Sequence, residues 1–66
     1  MCKFKAERII KETLTKNHCR FLCSELEDRI LIIRYIDGRG EYTKNYFPYR
    51  FMNENEIIDM VLRSLY

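Results

Sequence analysis

Residues 29–47, which read RILIIRYIDGRGEYTKNYF, decide the fold of this chain. Residues 29–36 are rich in β-branched side chains, as is typical of a strand. Asp37-Gly38 and a second glycine at position 40 follow, and Asp-Gly between apolar runs is a strong signal for a hairpin turn. Residues 41–47 contain Tyr, Thr and Phe and stop before Pro48, which cannot donate a ladder hydrogen bond. The stretch therefore predicts two antiparallel strands joined by a turn at residues 37–40.

A further strand is predicted upstream, where residues 19–26 read CRFLCSEL. Their alternation places Cys19, Phe21 and Cys23 on one side of the strand. Glu27 and Asp28 form a short polar break before the next strand begins. We therefore expect three antiparallel strands in sequence order.

Helical periodicity flanks the strands on both sides. The apolar side chains of residues 4–14 recur on one helix face, and this helix should end near Asn17, which tolerates the left-handed conformation of a C-terminal cap. Asn53 and Glu56 have the spacing of a capping box, and the apolar stripe after them predicts a second helix that runs to the C-terminus. The predicted fold is α+β, a helix, a three-stranded antiparallel meander and a helix (αβββα) in two layers, as one domain over residues 1–66.

Size and composition limit what the chain can do. A chain of 66 residues builds one core that buries about 60% of its unfolded surface, so a disulfide, a metal, a dimer contact or a bound partner is expected to add stability. The net charge of +2 does not by itself indicate nucleic-acid binding. No apolar run is long enough to cross a bilayer and the N-terminus lacks a signal-peptide pattern, which predicts a cytoplasmic protein with no membrane partner.

The second strand is apolar on both of its faces. Ile30, Ile32 and Ile36 point one way, while Leu31, Ile33 and Tyr35 point the other. If both helices pack on one side, we expect a strip of Leu31, Ile33 and Tyr35 to be exposed beside Leu22 or Tyr42, and such patches mark partner or dimer surfaces. The alternative is one helix on each face, which would cover both sets.

Aromatic and basic side chains are mixed along residues 34–51. Tyr, Phe and Arg carry much of the binding energy in protein interfaces, and the same residue types stack bases and contact phosphates in single-strand binders. Phe47 and Phe51 are instead predicted to be structural. The predicted partner-binding residues are Leu31, Ile33, Tyr35, Arg39, Tyr42, Lys44, Tyr46, Tyr49 and Arg50.

Catalytic and metal-binding patterns are weak. The single histidine, His18, precedes Cys19, and neighbours on a strand point to opposite faces, so His18 is badly placed to activate that thiol. The spacing of Cys2, His18, Cys19 and Cys23 does not match that of zinc knuckles. We therefore expect no catalytic residues, no metal and no cofactor, and three free thiols.

The element order and the size resemble those of double-stranded RNA-binding domains. That family begins its last helix with lysines that contact phosphate. Here the corresponding residues 53–56 are Asn-Glu-Asn-Glu, whose acidic side chains would repel phosphate. The resemblance is therefore confined to element order and size.

These observations lead to three hypotheses. The first is a small non-enzymatic regulatory or accessory protein that binds another protein, such as an inhibitor of a host or defence protein encoded by a phage or mobile element. The alternative is a nucleic-acid-binding module that uses Lys3, Lys5, Arg8 and Lys11, or the basic and aromatic residues 39–50. The third is a homodimer that covers a spare sheet face.

Overall fold

A computed structural model describes residues 1–65 and confirms the predicted order of a helix, three antiparallel strands and a helix. The elements are α1 (Lys3–Lys16), β1 (Arg20–Glu27), β2 (Ile30–Ile36), β3 (Tyr42–Phe47), a 3-10 helix (Tyr49–Phe51) and α2 (Glu54–Leu65). The sheet order is β1-β2-β3, so β2 is the central strand. The predicted end of the second helix at residue 66 lies outside the described residues.

The end of α1 differs in detail from the prediction. Asn17 is the cap residue, as expected, but its φ is −106°, and the left-handed residue is His18 with a φ of 62°. The amide of Cys19 donates to the carbonyl of Leu14 at 2.9 Å. This bond belongs to a Schellman motif, which satisfies carbonyls at the helix end and turns the chain into β1.

A β-bulge interrupts the alternation of β1. Phe21 pairs with Tyr35 and Cys23 pairs with Arg34, so the register shifts between Phe21 and Cys23. Because one extra residue lies there, Cys23 projects to the side opposite Phe21. The prediction that Cys23 shares a side with Cys19 and Phe21 is therefore wrong.

Two different turns join the strands. Asp28 and Arg29 connect β1 to β2 and both have positive φ, of 50° and 66°, as the two central residues of a type I′ hairpin require. Between β2 and β3, Oδ1 of Asp37 accepts hydrogen bonds from the amides two and four residues further on, each at 2.9 Å. The left-handed glycine of this turn is Gly40, with a φ of 86°.

The start of α2 confirms the predicted capping box. Oδ1 of Asn53 accepts from the amide of Glu56 at 2.8 Å, and Oε1 of Glu56 accepts from the amide of Asn53 at 2.9 Å. The 3-10 helix before it was not predicted, and it buries Tyr49. In the described part of the chain, no helix is both long and apolar enough to cross a membrane.

Both helices pack on the same side of the sheet. They contact each other and share one core with Leu31, Ile33 and Tyr35 of β2. The hydroxyl of Ser24 donates to Glu7 of α1 at 2.8 Å, and the hydroxyl of Tyr35 lies 3.3 Å from that of Ser64 in α2. The alternative with one helix on each face is therefore wrong.

The prediction of an exposed strip is wrong in its choice of residues. Leu31, Ile33 and Tyr35 are 0%, 0% and 1% exposed, because the two helices cover the side on which they project. The register explains this choice of side, since Leu31 pairs with the buried Phe47, whereas Arg34 pairs with Lys44. An ammonium group must stay in water, so the side that carries Lys44 faces away from the helices.

Candidate functional site

Within residues 1–65, no second layer lies over the side of the sheet opposite the helices, and we call this side the open face. Directly paired residues of neighbouring strands project to the same side, so the strand register assigns its members. They are Arg20, Cys23, Glu25 and Glu27 of β1, Ile30, Ile32, Arg34 and Ile36 of β2, and Tyr42, Lys44 and Tyr46 of β3. An apolar central strand is thus flanked by a charged strand and an aromatic one.

The centre of the open face is already dry. Ile32 is only 4% exposed although no helix covers this side, because it lies between its paired neighbours Glu25 and Tyr46. Tyr42 and Tyr46 are 59% and 51% exposed and form the aromatic margin. The half-exposed tyrosines are therefore the part of this face that a ligand could bury, and aromatic residues are enriched in protein interfaces.

The charge that the central strand carries on this face is paired. The guanidinium of Arg34 forms an ion pair with the Glu25 carboxylate across the strands. Desolvation lowers the pKa of Arg34, but the Glu25 charge and the side chains of Cys23 and Tyr42 outweigh it, so the pKa is raised. Arg34 therefore stays charged, and its charge is matched within the chain.

A shallow pocket of about 400 Å³ lies at one end of the open face. Acidic side chains flank one side of it, and Lys44 flanks the other with its Nζ 5.3 Å from the centre of the Tyr46 ring. The pocket is lined by Glu27, Asp28, Ile30, Ile32, Lys44 and Tyr46. Its lining offers apolar contact with charges of opposite sign at its two margins.

Several of the predicted partner-binding residues are in the core. Leu31 and Ile33 are fully covered, and Tyr49 is 7% exposed because the 3-10 helix turns it inward. Tyr35 is held by its hydroxyl, which accepts from Nδ2 of Asn45 at 3.2 Å. These four residues cannot reach a partner in this conformation, and predicting them as contact residues is wrong in that respect.

The structure brings three of the predicted residues together. Tyr42, Lys44 and Tyr46 lie side by side on the open face. Arg39, in the β2–β3 turn, and Arg50, in the 3-10 helix, are exposed but lie outside the sheet. Phe51, which was predicted to be structural, is 86% exposed, whereas Phe47 is buried as predicted.

Residues of the open face that the prediction missed are the isoleucines of β2 and the charged residues of β1. A signal for them exists in the hairpin itself. The turn pairs Ile36 with Tyr42, and that register sets Lys44 beside Arg34 on the side of the even-numbered residues of β2. Since neither cation can enter a small core, the even-numbered side must be the uncovered one.

A second, larger pocket of about 530 Å³ lies where the end of α1 meets the β2–β3 turn and the end of α2. The thiol of Cys19 lies in it, 3.6 Å from the carbonyl oxygen of Asn17. Burial raises the pKa of Cys19 and the Asp37 carboxylate adds to this, while a hydrogen bond from Gly38 lowers it. The neutral thiol that results is a poor nucleophile, and His18 beside it is exposed.

Metal-ligating side chains are dispersed. Cys2, Cys19 and Cys23 are free thiols, and only Cys19 is buried. Within residues 1–65, no three or more His, Cys, Asp or Glu side chains are grouped so that they could hold a metal ion. Within these residues, each thiol is therefore separate from other potential metal ligands.

Comparison of the chain with protein-family models, with curated proteins and with solved structures finds no match. The case for a function accordingly depends on the geometry described above. Of the surfaces that the described residues form, the open face is the one that combines a dry apolar centre with aromatic and charged margins.

Proposed function

We propose that this protein acts without catalysis, by binding another protein through the open face. The observation that carries the proposal is that a two-layer fold leaves one side of its sheet uncovered although the central strand is apolar there, at Ile30, Ile32 and Ile36. The exposed part of this surface is supplied by Tyr42 and Tyr46, and aromatic side chains beside apolar ones are enriched in protein interfaces. Burial of such a patch also adds the stability that a chain of this length needs.

The side chains of the open face suit a protein partner. Tyr42 and Tyr46 are amphipathic, and their half-exposed rings can be buried while their hydroxyls find new hydrogen bonds. The ion pair of Arg34 with Glu25 is formed before binding, so its burial would not leave an isolated charge. Binding then costs little reorganisation of the surface.

A comparison of variants tests the proposal. Ile36→Asp and Tyr46→Ala alter the open face, and Phe51→Ala is the matched control because it removes an exposed aromatic side chain that lies outside the sheet. Partners captured from cell extract by the unaltered protein would be identified by mass spectrometry and purified. We expect the two open-face variants to bind such a partner at least about 10-fold more weakly, since central aromatic and apolar residues dominate interface energy.

The control must retain its affinity, and circular dichroism must show that all three variants are folded. A partner that binds the open-face variants as tightly as the unaltered chain would exclude this surface. The finer hypothesis is that the protein inhibits a larger host or defence protein and is encoded by a phage or mobile element. It rests on the chain's size and absence of a catalytic pattern, and the cytoplasmic location stays a separate prediction.

Single-stranded nucleic acid is the second candidate ligand, favoured by one observation. Lys44 lies between Tyr42 and Tyr46 on β3, with Arg34 beside it, so two rings and two cations share a small area. Bases stack on such rings while cations contact phosphates. Glu25 and Glu27 on the same face oppose this reading, because carboxylates repel phosphate.

Salt dependence separates the two candidates. Binding of a labelled single-stranded oligonucleotide would weaken steeply as salt rises, whereas an aromatic and apolar protein contact would change little. We expect no oligonucleotide binding even at low salt. A steep salt dependence that disappears in Lys44→Gln would favour nucleic acid instead.

A further inference from the structure

We propose that a second copy of this chain can occupy the open face, forming a weak two-fold symmetric dimer. This inference rests on the proposed function, because it uses the same surface. It names a second copy of the chain as the molecule that binds there. The two-fold axis lies between the facing sheets and crosses the strands at the level of Ile33. The observation that supports it is the order of charges and apolar groups along the strands.

The open face consists of four rows that run across the sheet. In order along the strands, each row comprises directly paired residues. The rows are Arg20, Ile36 and Tyr42; then Cys23, Arg34 and Lys44; then Glu25, Ile32 and Tyr46; and finally Glu27 and Ile30. The level of Ile33 lies midway between the second row and the third.

The proposed axis places the first row of one copy over the fourth row of the other. Arg20, at one end of β1, then faces Glu27, at the other end of β1 in the second copy, and the symmetry makes this pair twice. Both side chains are exposed in the single chain and can reorient. Facing sheets lie about 10 Å apart, a gap that extended arginine and glutamate side chains bridge together.

The proposed axis makes two further favourable contacts. Ile36 faces Ile30 of the second copy, which joins apolar to apolar surface. Lys44 faces Tyr46 of the second copy, and a lysine over a tyrosine ring is favourable, as the 5.3 Å contact between the same residues within one chain illustrates. Between the same two rows, Arg34 faces Ile32 and Cys23 faces Glu25 of the second copy, so the attractive contacts are those made by Arg20, Ile36 and Lys44.

The other in-plane axis does not have this property. A two-fold axis parallel to the strands would place each residue of β2 over its own copy, so Arg34 would face Arg34. Each of these guanidinium groups is paired with Glu25, but this axis also lays β1 over β3, so Arg20 would face Tyr42 and the contact with Glu27 would be lost. The arrangement of charge along the strands therefore selects the axis that crosses them.

The contact is expected to be weak. β2 has 7 residues, so the face measures about 20 Å along the strands and about 10 Å across three backbones, and with side-chain margins a dimer would bury on the order of 700 Å² in total. This is below the roughly 1,200 Å² of stable complexes. A dissociation constant on the order of 100 µM is reasonable for such a contact.

Charge exchange tests the proposal directly. Sedimentation equilibrium from about 10 µM to about 1 mM, which brackets the expected constant, should show the mass rising from 8.1 kDa toward twice that value. Arg20→Glu and Glu27→Arg should each weaken the dimer about 10-fold, since each introduces two like-charge contacts. An equimolar mixture of these two variants should dimerise like the unaltered chain, because both cross-contacts then pair opposite charges.

The double variant R20E/E27R should also dimerise normally, and Arg63→Glu in α2 is the control expected to have no effect. Circular dichroism must show native secondary structure in every variant. A chain that stays monomeric to about 1 mM, or single variants that the mixture and the double variant do not rescue, would overturn the dimer. If a purified partner still requires Ile36 and Tyr46 in that case, the proposed function stands without the second copy.

Discussion

The two sides of β2 are made of nearly the same residues but differ completely in their surroundings. Leu31, Ile33 and Tyr35 lie under two helices and are inaccessible, whereas the isoleucines on the other side have no layer above them. The difference arises from the neighbouring strands and not from β2. It teaches that an apolar strand in a short chain can face the core on one side and an uncovered sheet surface on the other.

The largest expected difference between the sides is in stability. Ile33→Ala opens a cavity under the helices and should lower the free energy of unfolding by about 2–5 kcal/mol. Ile36→Ala removes a half-buried side chain with space around it and should cost about 1 kcal/mol or less. Urea unfolding followed by circular dichroism measures both.

A loss of that size approaches the total stability of a small domain, about 5 kcal/mol. Ile33→Val is therefore the milder version, expected to cost about 1 kcal/mol. If Ile33→Ala and Ile36→Ala lowered the free energy of unfolding equally, Ile36 would have to be as well covered in solution as Ile33. A weakly held second copy could not provide that cover.

An intermediate effect is expected from tyrosine hydroxyls on the two sides. Tyr35→Phe removes the group that accepts from Nδ2 of Asn45 and lies beside Ser64, so it should cost about 1 kcal/mol. Tyr46→Phe alters a half-exposed ring and should leave the unfolding free energy unchanged. If Tyr46→Phe proved the more costly of the two, the contrast between the sides would be lost.

The smallest effect concerns two thiols. Cys23, on the open face, should react with iodoacetamide in the native protein within the time that Cys19 stays unmodified, because burial raises the pKa of Cys19 and blocks access to it. Peptide mass spectrometry distinguishes the two sites. In denaturant both should be modified, which is the control for their intrinsic reactivity.

The same shift predicts a dependence on alkaline pH. A thiol whose pKa is higher in the folded than in the unfolded state holds its proton more tightly when folded. Its contribution to stability is therefore complete below the unfolded pKa and is lost as the pH rises through the folded pKa. In Cys19→Ala, the free energy of unfolding should therefore decrease less as the pH rises into the alkaline range. An identical pH profile in the variant would show that other groups cause it.

The sequence is sufficient for the order of elements because each has a local cause. The capping box at Asn53 and the break at Pro48 act within a few residues, and both are seen as predicted. The bulge between Phe21 and Cys23 and the left-handed conformation of His18 were not predicted, since the residue types at these positions do not indicate either feature. Asp28 and Arg29 likewise form their turn without the glycine that usually signals it.

The candidate site was predicted only in part, because the sequence pattern alone does not show which face of the sheet the helices cover. Tyr42, Lys44 and Tyr46 were recognised by residue type alone. Choosing the correct face of β2 required the pairing register, because alternation defines two sides without saying which one the helices cover. Combining the turn with the position of Lys44 would have decided it.

The margins of the sheet have a consequence of their own. The bulge bends β1 where a further strand would have to pair, and β3 carries Lys44 and is followed by Pro48. Both features oppose the addition of strands side by side. In the proposed dimer, the two-fold contact would occupy the same patch on both molecules, so assembly would stop at two copies instead of extending into a fibre.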